Sequence, residues 1–418
     1  MRFGKILMAA CASLWLGTTM LAGAQAPVPP GQTSAQPGPA GAGPQAGPGR
    51  GSPAVVSPEI QADGRVTFRI LAPRATAVTL TGDVNGGLVP APAAQSSAAA
   101  PQSGRGGAPP VVTMVKGANG VWEGTTIRAM RPGAWRYTFT VDGVVTVDSR
   151  NTRTSPNASQ VQSLLLVPGD FSETRNVPHG AVASVRYVAR ALGGAHREMF
   201  VYTPPGYEKG AARYPVLYLI HGGGDTAVSW STVGRAGDIM DNLIAGTRAV
   251  PMIVVMPSGW TPSGGQVMTS DATRDPFNNE MMQDIIPYID ANYRTLNTPA
   301  QRALSGLSMG GIQTLNIGLH NLGTFRYLAV MSSGWTSEAD RDAFYAREAA
   351  RIPTYDQQLR LFWWGWGETD IARANGLSVI EKFRELGVKN QQTLETPGGH
   401  TWDNWRLYLH EVAPKLFR

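Results

Sequence analysis

The sequence contains almost no cysteine and few charges. Cys11 is its one cysteine among 418 residues, which argues against a disulfide framework, a cysteine-based zinc site and a cysteine nucleophile. Charged residues make up 16% and the net charge is +6 without a basic run, so nothing indicates a nucleic-acid partner. No apolar run reaches the ~20 residues of a membrane span. Hydrophobic residues nevertheless make up 42%, which provides for a large core and excludes global disorder.

The first 24 residues have the features of an export signal. Arg2 and Lys5 precede a short apolar run over 6–21. Ala22-Gly23-Ala24 then has the small-x-small form that signal peptidase cuts, and Ala24-Gln25-Ala26 offers a second register. We therefore predict a signal peptide over 1–24 and an exported protein, periplasmic or secreted.

Two stretches rich in proline, glycine and alanine cannot bury a core. Residues 25–54 are predicted to be a flexible linker. Residues 86–110 are predicted to be a low-complexity insertion between two strands of the following module.

Around this insertion, apolar and polar side chains alternate with the period of a half-buried strand. The pattern predicts a small all-β sandwich over 55–168. Three segments, at 68–73, 120–123 and 132–143, resemble the early-set immunoglobulin-like modules, whose relatives bind glycogen and starch. Trp135, Tyr137 and Phe139 share one face of a strand. They form either the core of the sandwich or a platform for sugar, and the alternation favours the core.

Over 172–418, apolar strand-like runs alternate with helical stretches, which predicts an α/β fold with a mostly parallel sheet flanked by helices. The predicted strands are 199–202, 216–220, 252–256, 302–305, 327–331, 361–364 and 393–396. The predicted helices lie near 237–245, 278–291, 311–320, 338–350, 371–386 and 402–416. The sequence contains no internal repeat. Because the junction near 168–180 is rich in loop residues, we expect modest contact between the two parts, and activity on small esters without the all-β part.

A nucleophile motif lies at Gly306-Leu307-Ser308-Met309-Gly310. This G-x-S-x-G pattern follows a predicted strand and precedes a predicted helix, the context of the nucleophile elbow in α/β-hydrolases. Such folds order their triad as serine, acid, histidine. Of the histidines that follow Ser308, His400 lies on a loop after the last strand, whereas His320 and His410 lie on helices. His400 is therefore the predicted base.

The acid and the oxyanion hole follow from two other loops. Asp370 and Glu368 both follow the strand at 361–364, and Asp370, deeper in the loop, is the predicted acid with Glu368 as the alternative. His221-Gly222-Gly223-Gly224 matches the oxyanion loop of lipases and esterases. The backbone amides of Gly223 and Met309 are predicted to hold the oxyanion, and His221 is predicted to be structural.

These segments together resemble the secreted carbohydrate esterases that cleave feruloyl or acetyl groups from plant xylan. The segments that carry this resemblance are 201–207, 214–222, 241–245, 286–289, 306–311 and 398–406. The resemblance implies a triad of Ser308, Asp370 and His400. It implies no metal and no organic cofactor, and feruloylated or acetylated polysaccharide or oligosaccharide as substrate. The oligomeric state is not indicated.

The acyl group is not determined by these motifs. Trp260, Trp335 and Trp402 lie on loops at the predicted carboxyl edge of the sheet, where they would line an aromatic acyl pocket or act as packing lids. Three functions stay open: a hemicellulose esterase; a siderophore trilactone esterase or periplasmic acyltransferase of the same fold; and a carbohydrate-binding protein with an inactive hydrolase domain.

Overall fold

The computed structural model describes residues 55–89, 112–262 and 269–418. The predicted signal peptide, the predicted linker up to residue 54 and most of the predicted insertion lie outside the described residues. Within the described ranges, no helix has the length and apolar character that crossing a membrane requires.

The first part is an antiparallel two-sheet sandwich. Its strands are β1 (Glu59–Ile60), β2 (Val66–Leu71), β3 (Val78–Thr81), β4 (Val115–Lys116), β5 (Val121–Thr125), β6 (Gly133–Val141), β7 (Val144–Thr146), β8 (Thr154–Pro156) and β9 (Val161–Val167). One sheet has the order β1-β2-β5-β4 and the other β3-β6-β9-β8, with β7 on β6. The predicted all-β sandwich is confirmed, whereas its immunoglobulin-like relationship stays a prediction.

Aromatic side chains fill the space between the two sheets. Tyr137 and Phe139 of β6 are fully buried, and Phe68 of β2 packs against Tyr137 with ring centroids 4.9 Å apart. Trp135 is 4% exposed and belongs to the same cluster. The aromatic row therefore forms the core of the sandwich, as its alternation favoured.

The second part is an eight-stranded sheet flanked by helices. Its strands are β10 (Ala181–Ala189), β11 (Ala195–Thr203), β12 (Val216–Ile220), β13 (Ile253–Pro257), β14 (Arg302–Leu307), β15 (Tyr327–Met331), β16 (Leu361–Gly367) and β17 (Gln391–Thr396). Its helices are α1 (Ala236–Ala245), α2 (Pro276–Glu280), α3 (Ile286–Asn292), α4 (Met309–His320), α5 (Glu338–Glu348), α6 (Tyr355–Gln358), α7 (Arg373–Glu385) and α8 (Trp402–Val412). The strand order is β10-β11-β13-β12-β14-β15-β16-β17. The six strands from β12 to β17 are parallel, which confirms the α/β fold.

The central strands β12, β13 and β15 are apolar along their length because both faces of the sheet are covered. Along β12, Val216, Tyr218 and Ile220 belong to one core cluster, whereas Leu217 and Leu219 belong to the other. This alternation is the two-residue period of a strand buried between two helical layers.

Three elements of this part differ from the predictions, one of them the short helix α6, which was not predicted. β10 was not predicted, because it is an edge strand whose side chains are mostly exposed and carry little apolar signal. The helix predicted over 278–291 is divided into α2, a π-turn over Met281–Ile285, and α3. Pro287 lacks the N–H that a regular helix would use at this position, which accounts for the local change in hydrogen bonding.

The two parts meet across a buried, polar interface. The Arg406 guanidinium on α8 is fully enclosed, and its Nη1 donates to the carbonyl oxygens of Ala134 in β6 and Val233, each at 3.1 Å. The hydroxyls of Ser155 in β8 and Thr232 lie 2.8 Å apart. Charged and polar groups are therefore buried across this junction, and their hydrogen bonds depend on both parts. The expectation that the contact is modest in area stays a prediction.

Candidate active site

Ser308 lies in a strained turn between β14 and α4. Its φ of 53° and ψ of −116° are unfavourable for any residue with a Cβ, and such strain persists only where the surroundings enforce it. The surroundings here are backbone. A Cβ on Gly310 would lie 2.6 Å from the His221 carbonyl oxygen and 2.7 Å from that of Ile220. A Cβ on Gly306 would collide with the Gly310 backbone. Both glycines of the motif are thus needed for strand and helix to approach so closely.

His400 and Asp370 form a hydrogen-bonded pair. His400 Nδ1 lies 2.9 Å from Asp370 Oδ1, and the Asp370 side chain has no exposed surface. The same oxygen accepts the Ala372 N–H at 2.8 Å. Burial raises the pKa of Asp370, but the hydrogen bond and charge of His400, with help from the Ser332 hydroxyl and the Ala372 amide, outweigh it and hold the pKa below its ordinary value. Asp370 is therefore ionised at neutral pH.

The loop that carries His400 is anchored to the loop that carries Asp370. Thr369 donates both its N–H, at 3.0 Å, and its hydroxyl, at 2.9 Å, to the Gly398 carbonyl oxygen. Asn404 Nδ2 donates to the Gly399 carbonyl oxygen at 3.0 Å. The Trp405 ring lies perpendicular to the His400 ring, with centroids 5.0 Å apart. Glu368, the alternative acid, is exposed instead.

The predicted oxyanion loop, 221–224, continues into Asp225, and this segment is held by a buried histidine. His221 Nε2 accepts the Gly259 N–H at 3.1 Å, so the proton lies on Nδ1, which donates to the Gly222 carbonyl oxygen at 2.8 Å. Burial lowers the pKa of His221, and the ring is neutral. Gln313 of α4 donates to the Gly259 carbonyl oxygen at 2.8 Å and so links this loop to the helix that follows Ser308. His221 therefore supports the loop, and its side chain is not among those that line the cavity described below.

Ser308 and His400 line one cavity of about 450 Å³. Gly222, Gly223 and Gly224 form another part of its wall, which places the predicted oxyanion loop beside the serine. Met309, whose amide is the first of α4, directly follows Ser308.

The opposite wall of the cavity comes from the all-β part, and no sequence pattern indicated it. The lining residues from that part are Asp83, Gly86, Arg131, Ala134, Trp135, Arg136 and Asn157. Both arginines are paired with carboxylates of the α/β part that also line the cavity. Arg131 Nη1 lies 2.8 Å from Asp403 Oδ2, and Arg136 Nη2 lies 2.6 Å from Asp225 Oδ1.

The three predicted pocket tryptophans have different surroundings. Trp402 lines the cavity, where its ring packs edge-to-face on Trp405, a further lining residue that the sequence did not indicate. Trp260 is half-buried, and its Nε1 donates to the Asp225 carbonyl oxygen at 2.9 Å, behind the oxyanion loop. The prediction that Trp335 lines the pocket is wrong. Trp335 has no exposed surface, packs on Phe344 and donates to Asn316 Oδ1 at 2.8 Å, so it is a core residue.

Comparison with known proteins places this chain in a family. Residues 191–416 match the family described as "Putative esterase". The endo-1,4-beta-xylanase/feruloyl esterase of Xylanibacter ruminicola is 31% identical over 369 residues, which are 86% of this chain and 46% of that protein. The chain spans less than half the length of the curated relatives it matches.

Two solved structures have a similar fold. The feruloyl esterase module from Clostridium thermocellum, solved with sinapinate, has a TM-score of 0.51 at 23% identity and covers 60% of this chain and 93% of that one. The enterobactin esterase of Shigella flexneri has a TM-score of 0.58 at 14% identity and covers 84% of this chain and 92% of that one, a share that the α/β part alone cannot provide. The match over 191–416 includes β14, α4 and the loops after β16 and β17, and the chain belongs to this family of esterases.

Proposed function

We propose that this protein is an exported serine esterase that removes feruloyl or acetyl groups from plant cell-wall polysaccharide through an acyl-enzyme. One observation carries the proposal. A strained serine and a histidine line the same cavity, and the other ring nitrogen of that histidine is bound to a buried, ionised carboxylate. Nucleophile, base and orienting acid are the three groups that acyl transfer by serine requires.

In the acylation step, Ser308 Oγ attacks the carbonyl carbon of the ester while His400 accepts its proton. Because Nδ1 of His400 is bound to Asp370, Nε2 is the nitrogen that takes the proton. The carbonyl oxygen becomes an oxyanion, and the amides of Met309 and Gly223 donate to it; each such donor contributes roughly 3 kcal/mol. His400 then gives its proton to the leaving alcohol, and the acyl group stays on Ser308.

In the deacylation step, a water molecule takes the place of the alcohol. His400 removes a proton from this water, which attacks the acyl carbon and forms a second oxyanion in the same place. Collapse of this intermediate returns the proton to Ser308 Oγ and releases the carboxylic acid. Asp370, ionised at neutral pH, stabilises the imidazolium in both steps without taking up its proton.

The size and lining of the cavity favour an aromatic acyl group as part of the substrate. Its volume of about 450 Å³ lies within the ~300–1,000 Å³ of small-molecule sites, and Trp402 and Trp405 supply apolar surface beside His400. The relative from Xylanibacter ruminicola, named a xylanase/feruloyl esterase, supports the same substrate class.

A siderophore trilactone esterase is the second candidate, favoured by the extent of the match to the Shigella flexneri enterobactin esterase. A ferric catecholate is an anion and favours a strongly basic pocket. The cavity here is lined by two arginines, and each is already paired with a lining carboxylate, Arg131 with Asp403 and Arg136 with Asp225. This balance disfavours an anionic ligand.

The test is a panel of esters given to the wild-type protein and to Ser308→Ala. Methyl ferulate, acetylated xylan, short p-nitrophenyl esters and a catecholate trilactone distinguish the candidates. We expect hydrolysis of feruloyl or acetyl esters by the wild type, none by the folded variant, and a stoichiometric fluorophosphonate adduct on Ser308. Labelling of another serine would refute the assignment, and preference for the trilactone would favour the second candidate.

A further inference from the structure

The oxyanion loop is held by contacts from both parts, and the all-β part supplies two of those at its central turn. Within the loop, the Asp225 N–H donates to the Gly222 carbonyl oxygen at 3.1 Å, which closes a turn with Gly223 and Gly224 at its centre. The orientation of the Gly223 amide therefore depends on where Asp225 and Gly224 are fixed. Glycine has no side chain with which to fix itself, so the restraint has to come from outside the turn.

Two of the contacts that fix this turn come from the all-β part. Arg136 Nη2 donates to Asp225 Oδ1 at 2.6 Å, and the Ala158 N–H donates to the Gly224 carbonyl oxygen at 3.0 Å. A third contact comes from the α/β part, where Trp260 donates to the Asp225 carbonyl oxygen at 2.9 Å.

The surroundings of the Arg136 side chain restrict its motion. Arg136 lies on β6, where it is paired with Leu164 of β9, and its side chain is only 6% exposed. Its guanidinium also lies over the Trp402 ring, 5.5 Å from the centroid, so it contacts the segment just after His400 as well. Asp225 is 9% exposed, and a charged pair so enclosed is lost only with a large penalty.

We propose that Arg136 is a positioning residue for ester hydrolysis: by binding Asp225 it orients the Gly223 amide toward the oxyanion. The inference rests on the proposed function, because it needs Ser308 chemistry at this site. It gives the all-β part a role in the chemical step itself, distinct from any binding of polysaccharide.

The test separates the stabilisation of the oxyanion from the binding of ligand. Arg136→Met and Asp225→Asn are compared with the wild type for kcat and KM on p-nitrophenyl acetate and methyl ferulate. Affinity for a trifluoromethyl ketone, which forms a tetrahedral oxyanion with the serine, is measured beside inhibition by ferulate, which does not. Ser155→Ala is the control, because it removes another buried hydrogen bond of the same interface without touching the loop.

We expect kcat of Arg136→Met to fall about 100-fold, near the loss of one oxyanion donor, with a parallel loss of ketone affinity. KM and ferulate inhibition change less than threefold, and Ser155→Ala keeps the wild-type kcat. A folded Arg136→Met with kcat within threefold of the wild type would overturn the proposal, as would equal losses of ketone and ferulate affinity.

Arg136→Met leaves Asp225 buried without a partner and its folding is checked by thermal denaturation. If it fails to fold, Asp225→Asn decides, since asparagine keeps the size and an acceptor oxygen. A tenfold lower kcat with unchanged ferulate inhibition supports the proposal, and an unchanged kcat overturns it. Absence of esterase activity in the wild type would instead refute the proposed function.

Discussion

Replacing Asp370 by asparagine tests the charge behind His400. Oδ1 of Asp370 accepts hydrogen bonds from both His400 Nδ1 and the Ala372 amide. In Asp370→Asn the amide oxygen takes this place, because the Ala372 N–H requires an acceptor. His400 thus keeps its tautomer, and what disappears is the negative charge beside the imidazolium.

The size of this loss follows from the geometry. Two unit charges about 3–4 Å apart at an effective dielectric constant of about 20 interact by roughly 4–6 kcal/mol. At 1.36 kcal/mol per factor of ten, kcat should fall roughly 10³–10⁴-fold. Glu368→Gln is the matched control, since Glu368 lies two residues away and is exposed. Its kcat should stay within about threefold of the wild type, as expected for a surface charge.

The assay is steady-state hydrolysis of methyl ferulate by folded proteins of equal fluorophosphonate-reactive concentration. KM should change little in either variant, because neither side chain lines the cavity. A larger loss in Glu368→Gln than in Asp370→Asn would make Glu368 the acid. An Asp370→Asn enzyme with more than a tenth of the wild-type kcat would show that the charge is not what Asp370 contributes.

Three further predictions concern the interface, a tryptophan and acid stability. In a chain that begins at Ser172, kcat should fall at least about 100-fold on methyl ferulate as well as on xylan, because two of the contacts that fix the oxyanion loop are absent. If activity on methyl ferulate were retained, the expectation that the α/β part is active without the all-β part would stand. Trp335→Phe should lower the free energy of unfolding by about 1–3 kcal/mol through lost packing, and KM for methyl ferulate should stay within twofold of the wild type. A raised KM with unchanged stability would indicate that Trp335 binds substrate after all. Burial lowers the pKa of His221 below its ordinary value of 6.5 in the folded protein. As the pH falls, the His221 ring is therefore protonated in the unfolded chain before it is protonated in the folded protein, and the free energy of unfolding decreases below about pH 6.5. The free energy of unfolding, measured in urea at pH values from 7.5 to 5, should fall less steeply with pH in His221→Gln than in the wild type, by up to about 1.4 kcal/mol per pH unit. Identical pH dependences would contradict a buried, neutral His221.

Local patterns predicted the α/β part well. The parallel strands β12, β13 and β15 are continuous apolar runs because both faces are covered, and the motif around Ser308 specifies its own turn through glycines that no other residue can replace. His400 and Asp370 each follow a strand, and neighbouring parallel strands end at the same edge, so their hydrogen bond follows from the topology. Sequence order thus sufficed for the residues closest to the proposed chemistry.

The cavity wall could not be predicted in the same way. Arg136 and Asp225 are distant in sequence, and nothing in either segment specifies the other. In the sequence, Arg136 lies between two core aromatics of β6 and is one polar residue of an alternating strand. Trp335 was misplaced because a tryptophan after a strand is equally compatible with a pocket and with the core. Contacts between the sheets of the two parts depend on how these parts dock, for which a single sequence carries no periodic signal.

β6 makes each part of the molecule depend on the other. A module that merely tethers an enzyme to its polymer can be lost, duplicated or exchanged by recombination between genes. Here, one strand contributes both the centre of a sandwich core and the arginine that meets the oxyanion loop. Any chimaera that replaces the sandwich also replaces part of the wall of the cavity that Ser308 and His400 line, so substitutions in this sheet would reshape the cavity without changing the proposed nucleophile or base.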